Sequence, residues 1–242
     1  MIVRQTEGGQ TWAELARLDP LASVLDPADS RGRKNRLIDR VHKRALAHVL
    51  GDFRGRRVLD FGCGTGRLSS WLVHHGADVD GVDVTPEMVA VARVTAPGAR
   101  VQTIDGRVLP FADDQFDAVV TAYVLQYYLD DDGTLACELE RVLRPGGSLV
   151  AIEQVTDGEI GRGGVAAAYE RMLAAGGLGV RAVTPIRMSD SRVLILAERL
   201  PGLAALPVTA SLVMREAAAR AGKPLTDGRY ADAVFWATKA DV

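Results

Sequence analysis

The chain has 242 residues, of which 48% are hydrophobic and 25% charged, and its 29 basic and 31 acidic side chains leave a net charge of −2. That balance excludes disorder, collagen and coiled coil, and it argues against a protein whose main work is to coat nucleic acid or an anionic membrane. The two cysteines, Cys63 and Cys137, make neither a CxxC pair nor a zinc-ligand spacing, so neither a disulfide framework nor a metal site is expected.

The opening MIVRQTEGGQ has no apolar stretch of the kind a secretory leader carries. No run reaches the roughly 18–20 apolar residues that span a bilayer, so a cytoplasmic location without membrane partners is expected. Asp-Pro pairs at 19–20 and 26–27 break the first thirty residues into short helical pieces. Residues 34–50 follow as a helix with Leu37, Ile38, Val41, Ala45, Leu46 and Val49 along one side, ended by Gly51. The period then changes. Apolar strands are predicted at 57–62, 77–84, 101–105, 116–124 and 148–155, with helices at 67–75, from Pro86 to about Arg93, and at 131–144. Thr85 and Pro86 read as N-cap and first-turn residue, and Pro145-Gly146-Gly147 as a helix breaker. Strands separated mostly by helices imply right-handed βαβ units and a mainly parallel sheet covered on both faces. Beyond residue 160 come a helix at 164–175, a strand at 179–187, helical stretches at 190–199 and 210–221, and an edge strand at 233–240. The expected division is a helical cap over 1–50 and a domain over 51–242, with its core at 55–155 and a substrate-side insertion at about 156–230.

The most informative segment is Asp60-Phe61-Gly62-Cys63-Gly64-Thr65-Gly66, which joins the first strand to its helix. In an open α/β sheet the ligand crevice lies at the carboxyl ends of the strands, and glycines let the backbone turn tightly and approach a ligand. A dinucleotide fingerprint reads G-x-G-x-x-G. Here the order is D-x-G-x-G-x-G, and no P-loop sequence occurs. Asp60 would repel a pyrophosphate and attract a ligand amino group. The second strand ends at Asp83, which is placed to accept both hydroxyls of a ribose. The third ends at Asp105-Gly106, where a carboxylate is placed to take the exocyclic amine of an adenine. One such acid is commonly a turn or cap residue; three, at the ends of three successive strands, point to a single ligand.

In that order, VLDFGCGTGRLS, VDVTPEM, IDGRVLPFADDQFDAVV and LRPGGSLVAIEQ resemble the sequential motifs of class I S-adenosylmethionine (SAM)-dependent methyltransferases, across about residues 55–155. The resemblance implies a Rossmann-like α/β fold with a mostly parallel sheet of seven strands, the last antiparallel, under an N-terminal helical cap and with a helical insertion before the last strand. It also implies SAM as cofactor and S-adenosylhomocysteine (SAH) as product. Carried over by position, Asp60, Gly62, Cys63 and Gly64 would line the methionine half, and Asp83 would bind the ribose hydroxyls. Val84 and Met88 would lie against the adenine, Asp105 would meet its amine, and Gly106 would offer a backbone N–H beside Arg107. Ala122 and Tyr123 would border the sulfonium. In TAYVLQYYL this chain carries Gln126 where many relatives have histidine.

The sulfonium of such a donor makes its methyl group electrophilic, so the protein's task is in-line positioning and exclusion of water. Tyr123, Tyr127 and Tyr128 are candidates to face the positive sulfur. A hydroxyl acceptor needs a proton acceptor within reach; Glu153, at the end of the fifth strand, is the first candidate and His42 the second. Segment 31–44 holds seven basic residues against one acid, and Arg36 and Arg40 are candidates for the SAM carboxylate. RNA is the alternative partner for that segment, disfavoured because no aromatic stacking platform accompanies it. The apolar stretch VLILAERLPGLAALPV suits a lid over a small organic acceptor, a homodimer surface, or a helical core. The resulting expectation is methyl transfer to a small molecule, at a natural-product or sugar hydroxyl. The alternatives are N- or C-methylation, or a SAM-binding subunit without chemistry; a nicotinamide-dependent oxidoreductase is disfavoured by the glycine order.

Overall fold

A computed structural model describes residues 10–129, 133–155, 164–221 and 230–241. The first residues of the predicted helix at 131–144, and 156–163 and 222–229 of the predicted insertion, lie outside the described residues. Thr11 caps the short helix α1 (Trp12–Leu15) and Asp19 caps α2 (Pro20–Val24), in which proline occupies the first turn. Helix α3 (Arg33–Leu50) comes next. The chain then alternates through β1 (Arg57–Phe61), α4 (Arg67–His74), β2 (Asp78–Asp83), α5 (Pro86–Thr95), β3 (Arg100–Thr103), β4 (Phe116–Ala122), α6 (Thr134–Val142) and β5 (Leu143–Val155). It continues through α7 (Gly164–Ala175), β6 (Gly179–Met188), α8 (Arg192–Arg199), α9 (Pro201–Ala205), α10 (Pro207–Ala219) and β7 (Ala231–Thr238).

The seven strands form one sheet in the order β3-β2-β1-β4-β5-β7-β6. The first five pair in parallel, and β7 runs antiparallel to both of its neighbours. Successive side chains on each strand point to opposite faces, so adjacent residues enter different cores. Leu59, Val119, Leu149 and Phe235 pack with Leu135, Leu139, Tyr169 and Leu173 on one face. Val58, Val120, Val150 and Val234 pack with Leu37, Val41, Leu46, Leu194 and Val213 on the other. Each fully buried aliphatic side chain of this kind contributes about 1.5–3 kcal/mol relative to exposure.

Several local expectations are corrected. The strand predicted at the sheet edge over 233–240 lies inside the sheet, and β6 is the edge. Among the described residues three helices, not two, stand between β6 and β7. Thr85 stands at the N-cap of α5, but its side chain makes no capping bond; instead Asp83 Oδ1 accepts from the Thr85 amide at 2.8 Å. α6 ends at Val142, and Pro145-Gly146-Gly147 falls in a bulge of β5, where the register with β4 jumps from Phe116–Leu143 to Ala118–Ser148.

Candidate active site

The strand order reverses at β1 and β4, and at their carboxyl ends lies a cavity of about 350 Å³. This is where an open α/β sheet offers a crevice, and the volume is within the about 300–1,000 Å³ usual for small-ligand sites. Of the residues selected from sequence, Asp60, Gly62, Cys63, Gly64, Asp83, Val84, Met88, Gly106, Arg107, Ala122 and Tyr123 line it. Tyr127 and Tyr128 line it as well. Two positions in the glycine turn require the absence of a side chain. Gly62 has φ +69°, and a Cβ there would stand 2.3 Å from Val124 Cγ2; Gly64 has φ +53°, and a Cβ would stand 2.9 Å from Val24 Cγ1.

Asp60 and Asp83 are held differently. Asp60 is buried, accepts from the Ser69 hydroxyl at 2.6 Å, and has its pKa raised to about 6 by burial, an effect opposed by Ser69 and by the charge of Arg67. Asp83 accepts from the Gly64 amide at 2.9 Å and the Thr85 amide at 2.8 Å, one on each oxygen; burial raises its pKa and the two amides oppose the rise. Each oxygen retains a lone pair for a ligand hydroxyl. Cys63 is buried beside these acids, which together with desolvation keep its thiol protonated and unreactive.

The remaining candidates do not reach the cavity wall. Asp105 is exposed, because β3 ends at Thr103 and the chain turns before the carboxylate can point inward. Arg36 donates to the Arg31 carbonyl, and Arg40 donates to the carbonyls of Ala205 and Leu206 at the end of α9. Both therefore lie on a face of α3 turned away from the crevice. Glu153 is fully buried beneath the loop after β4, where its Oε1 accepts from the Val124 and Leu125 amides at 2.9 Å each. Burial raises its pKa to about 7.

His42 is also fully buried. Arg67 Nη2, a donor only, stands 3.1 Å from His42 Nδ1, so that nitrogen is unprotonated and the ring proton sits on Nε2. Nε2 in turn lies 3.3 Å from Asp232 Oδ2 and 3.2 Å from the Tyr123 hydroxyl. Burial, followed by opposing contributions from Asp232 and Arg67, lowers the His42 pKa, so the imidazole stays neutral and is not poised to take a proton. Asp232 is paired through both oxygens with Arg187, at 2.5 and 2.9 Å, and its pKa is held below the usual carboxylate range.

The sequence reading missed Arg67, Trp12 and Val24, all of which line the cavity. Arg67 was legible in principle: it is the first helical residue after the glycine turn, where a long side chain points back over the crevice. It bridges cavity and interior, since Nη1 also pairs with Asp39 at 3.1 Å. Tyr123 connects the same two regions. Its φ is +61°, a conformation costly for a residue with a Cβ, and its carbonyl is held by the Gln126 side chain at 3.1 Å. Its ring faces the cavity while its hydroxyl meets His42. Among the described residues no cluster of three metal-ligating side chains occurs, and no helix is long and apolar enough to cross a membrane.

Residues 59–151 match the family model described as a methyltransferase domain. The chain is 39% identical over 115 residues to a demethylmenaquinone methyltransferase of Tropheryma whipplei, covering 46% of this chain and 47% of that protein. A demethylmenaquinone methyltransferase of Beutenbergia cavernae is 40% identical over 116 residues, 48% of each chain. The chain thus spans about half the length of the relatives it matches. Among solved structures, an S-adenosylmethionine-dependent methyltransferase from Mesorhizobium loti superposes with a TM-score of 0.58 at 22% identity, over 84% of this chain and all of that one. A sarcosine dimethylglycine methyltransferase assignment from Galdieria sulphuraria reaches 0.61 at 18% identity, over 90% and 92%. Strand order and superposition together give the chain the Rossmann-like class I methyltransferase fold, and within it residues 59–151, with the D-x-G-x-G-x-G turn, are similar to the methyltransferase domain family.

Proposed function

We propose that the protein binds SAM in the crevice above β1 and β4 and transfers its methyl group to a small-molecule acceptor. The observation that carries this reading is the convergence of two strand-end carboxylates, buried Asp60 and half-buried Asp83, on one cavity beside the glycine turn. The chemistry fits the ligand: Asp60 faces an ammonium, Asp83 accepts from ribose hydroxyls, Val84 and Met88 supply an apolar wall, and the Gly106 backbone approaches without a side chain. When bound, SAM supplies a methyl group made electrophilic by its sulfonium. Ala122 and the Tyr123 ring border that position, and a fixed aromatic face there is worth about 0.5–2 kcal/mol toward a cation. Arg67 takes the role sought for Arg36 and Arg40, pairing with the ligand carboxylate at the start of α4. The described part of the expected 1–50 cap, residues 10–50, covers the site, with Trp12 and Val24 as its cavity-facing side chains.

For the acceptor, oxygen is the first reading. Neither Glu153 nor His42 reaches the cavity, which favours a phenol- or enol-type hydroxyl of a natural product, able to ionise near neutral pH, over a sugar hydroxyl. Carbon is the second reading, favoured by the demethylmenaquinone methyltransferases that match the core. Calorimetric titration of the protein with SAM, SAH and NAD, repeated for Asp83→Ala, tests the cofactor site. Binding of SAM and SAH that is lost in the variant, with no binding of NAD, is the expected result. Folded protein that binds neither SAM nor SAH removes the reading. Turnover of labelled SAM against phenols, quinols and sugars then separates the acceptor classes.

A further inference from the structure

Helices α8 and α10 bury one apolar stripe against α3 and the sheet, through Leu194, Ala197, Ala210 and Val213. They and the turns flanking α9 present a second apolar surface outward: Ile195, Leu196, Leu200, Leu206, Val208 and Leu212 are 37% to 53% exposed. The three helices pack on one another, which gathers these exposed side chains on one helical unit. A helix apolar on both sides ordinarily has a partner on both sides.

The exposed charges on α8 and α10 are mainly basic. Arg192, Arg199 and Arg215 are exposed on the same helices and make no ion pair among the described residues. Arg40 of α3 reaches the Ala205 and Leu206 carbonyls at the edge of the leucine surface with its Nε and Nη2 buried, and Arg36 and Arg44, one turn to either side, are the exposed cations of that helix. The nearby acids are engaged or turned aside. Glu216 accepts from Ser191 and the Arg192 amide, Asp190 pairs with Arg220, and Glu198 lines a separate polar pocket with Lys34 and Asp26. The net charge of −2 conceals this local excess.

We propose that the α8–α10 face is a peripheral docking surface for an anionic phospholipid bilayer, with the leucines entering the acyl boundary and the arginines meeting headgroup phosphates. The rim decides between occupants. A second copy of the chain, related by a two-fold axis, would set arginine against arginine around the apolar centre, whereas an anionic lipid surface complements both parts. No insertion across the bilayer is involved.

The test is co-sedimentation of the full chain with vesicles of phosphatidylcholine alone and of phosphatidylcholine with phosphatidylglycerol. Binding is expected only to the anionic vesicles and to weaken as salt is raised. The combined variant Leu196→Ser, Leu200→Ser, Leu206→Ser and the separate pair Arg199→Glu, Arg215→Glu should each partition at least tenfold less while unfolding at the parent temperature. Equal binding by parent and variants, or no binding to anionic vesicles, overturns the proposal. So does a solution dimer that the leucine variant dissolves, which would assign the face to a second copy.

Discussion

Asp60 lies buried with one hydroxyl partner and a pKa near 6, so its ionisation is coupled to whatever cation enters the cavity. An ammonium bound there favours the carboxylate, and the free protein must first lose a proton when the pH is below about 6. SAM affinity should therefore weaken by up to about tenfold for each pH unit below 6 and stay level above it, and Asp60→Asn should remove the slope. Calorimetry between pH 5 and 8 checks this; an unchanged slope in the variant would assign the proton elsewhere. Arg67 makes a complementary prediction at the other end of the amino acid. Loss of a charge-assisted bond costs about 1.5–3 kcal/mol, so Arg67→Ala should weaken SAH roughly 10- to 100-fold. It should leave methylthioadenosine, which has no carboxylate, bound as in the parent. Equal losses for both ligands would mean that Arg67 only supports the cavity, through Asp39 and His42. Arg36→Ala and Arg40→Ala should leave SAM affinity unchanged, because both guanidinium groups are committed to carbonyls away from the cavity.

Glu153 acts on an element rather than on a ligand. Its Oε1 gathers the Val124 and Leu125 amides of the turn after β4, and that turn carries Val124, Tyr127 and Tyr128 into the cavity wall. Glu153→Ala would orphan both amides at about 1–3 kcal/mol each, whereas glutamine can still accept from them. Thermal unfolding should thus fall markedly for the alanine variant and little for the glutamine one. The folded pKa of about 7 lies above the ordinary 4.5, so the stability linked to this group is full below pH 4.5 and is lost as pH rises through 7. The melting temperature of Glu153→Gln, measured against the parent across that window, should lack this decline. Elements like β1 to β5 were legible because strands buried on both faces read as short apolar runs punctuated by glycine and proline. The place of β7 was not, since an antiparallel strand fits either at an edge or between neighbours, and only the pairing with β6 decides. The glycine turn and Asp83 were legible from spacing. Asp105 lies off the cavity wall because β3 ends two residues earlier than its apolar run suggests, and Glu153 lies off it because the strand-end carboxylate folds under a loop that no local pattern reveals.

At the scale of the whole molecule, the first helices and the sheet share the cavity. The Thr65 hydroxyl donates to the Pro20 carbonyl at 2.8 Å, and Val24 packs over Gly64. A ligand in the cavity touches both parts, so SAH should slow tryptic cleavage after Arg17 and Arg31, both exposed, relative to the free protein. Unchanged cleavage rates would detach α1 and α2 from the site. The sheet order has another consequence, for synthesis rather than for binding. Among the described residues β6 joins the sheet only through β7, yet three helices separate the two in the chain. While those helices are being translated, β6 has no strand to join and β5 keeps an open edge, two exposed templates for pairing with another molecule. Addition of β7 closes both edges at once, so a chain halted before residue 231 keeps two strands open to pairing with other molecules.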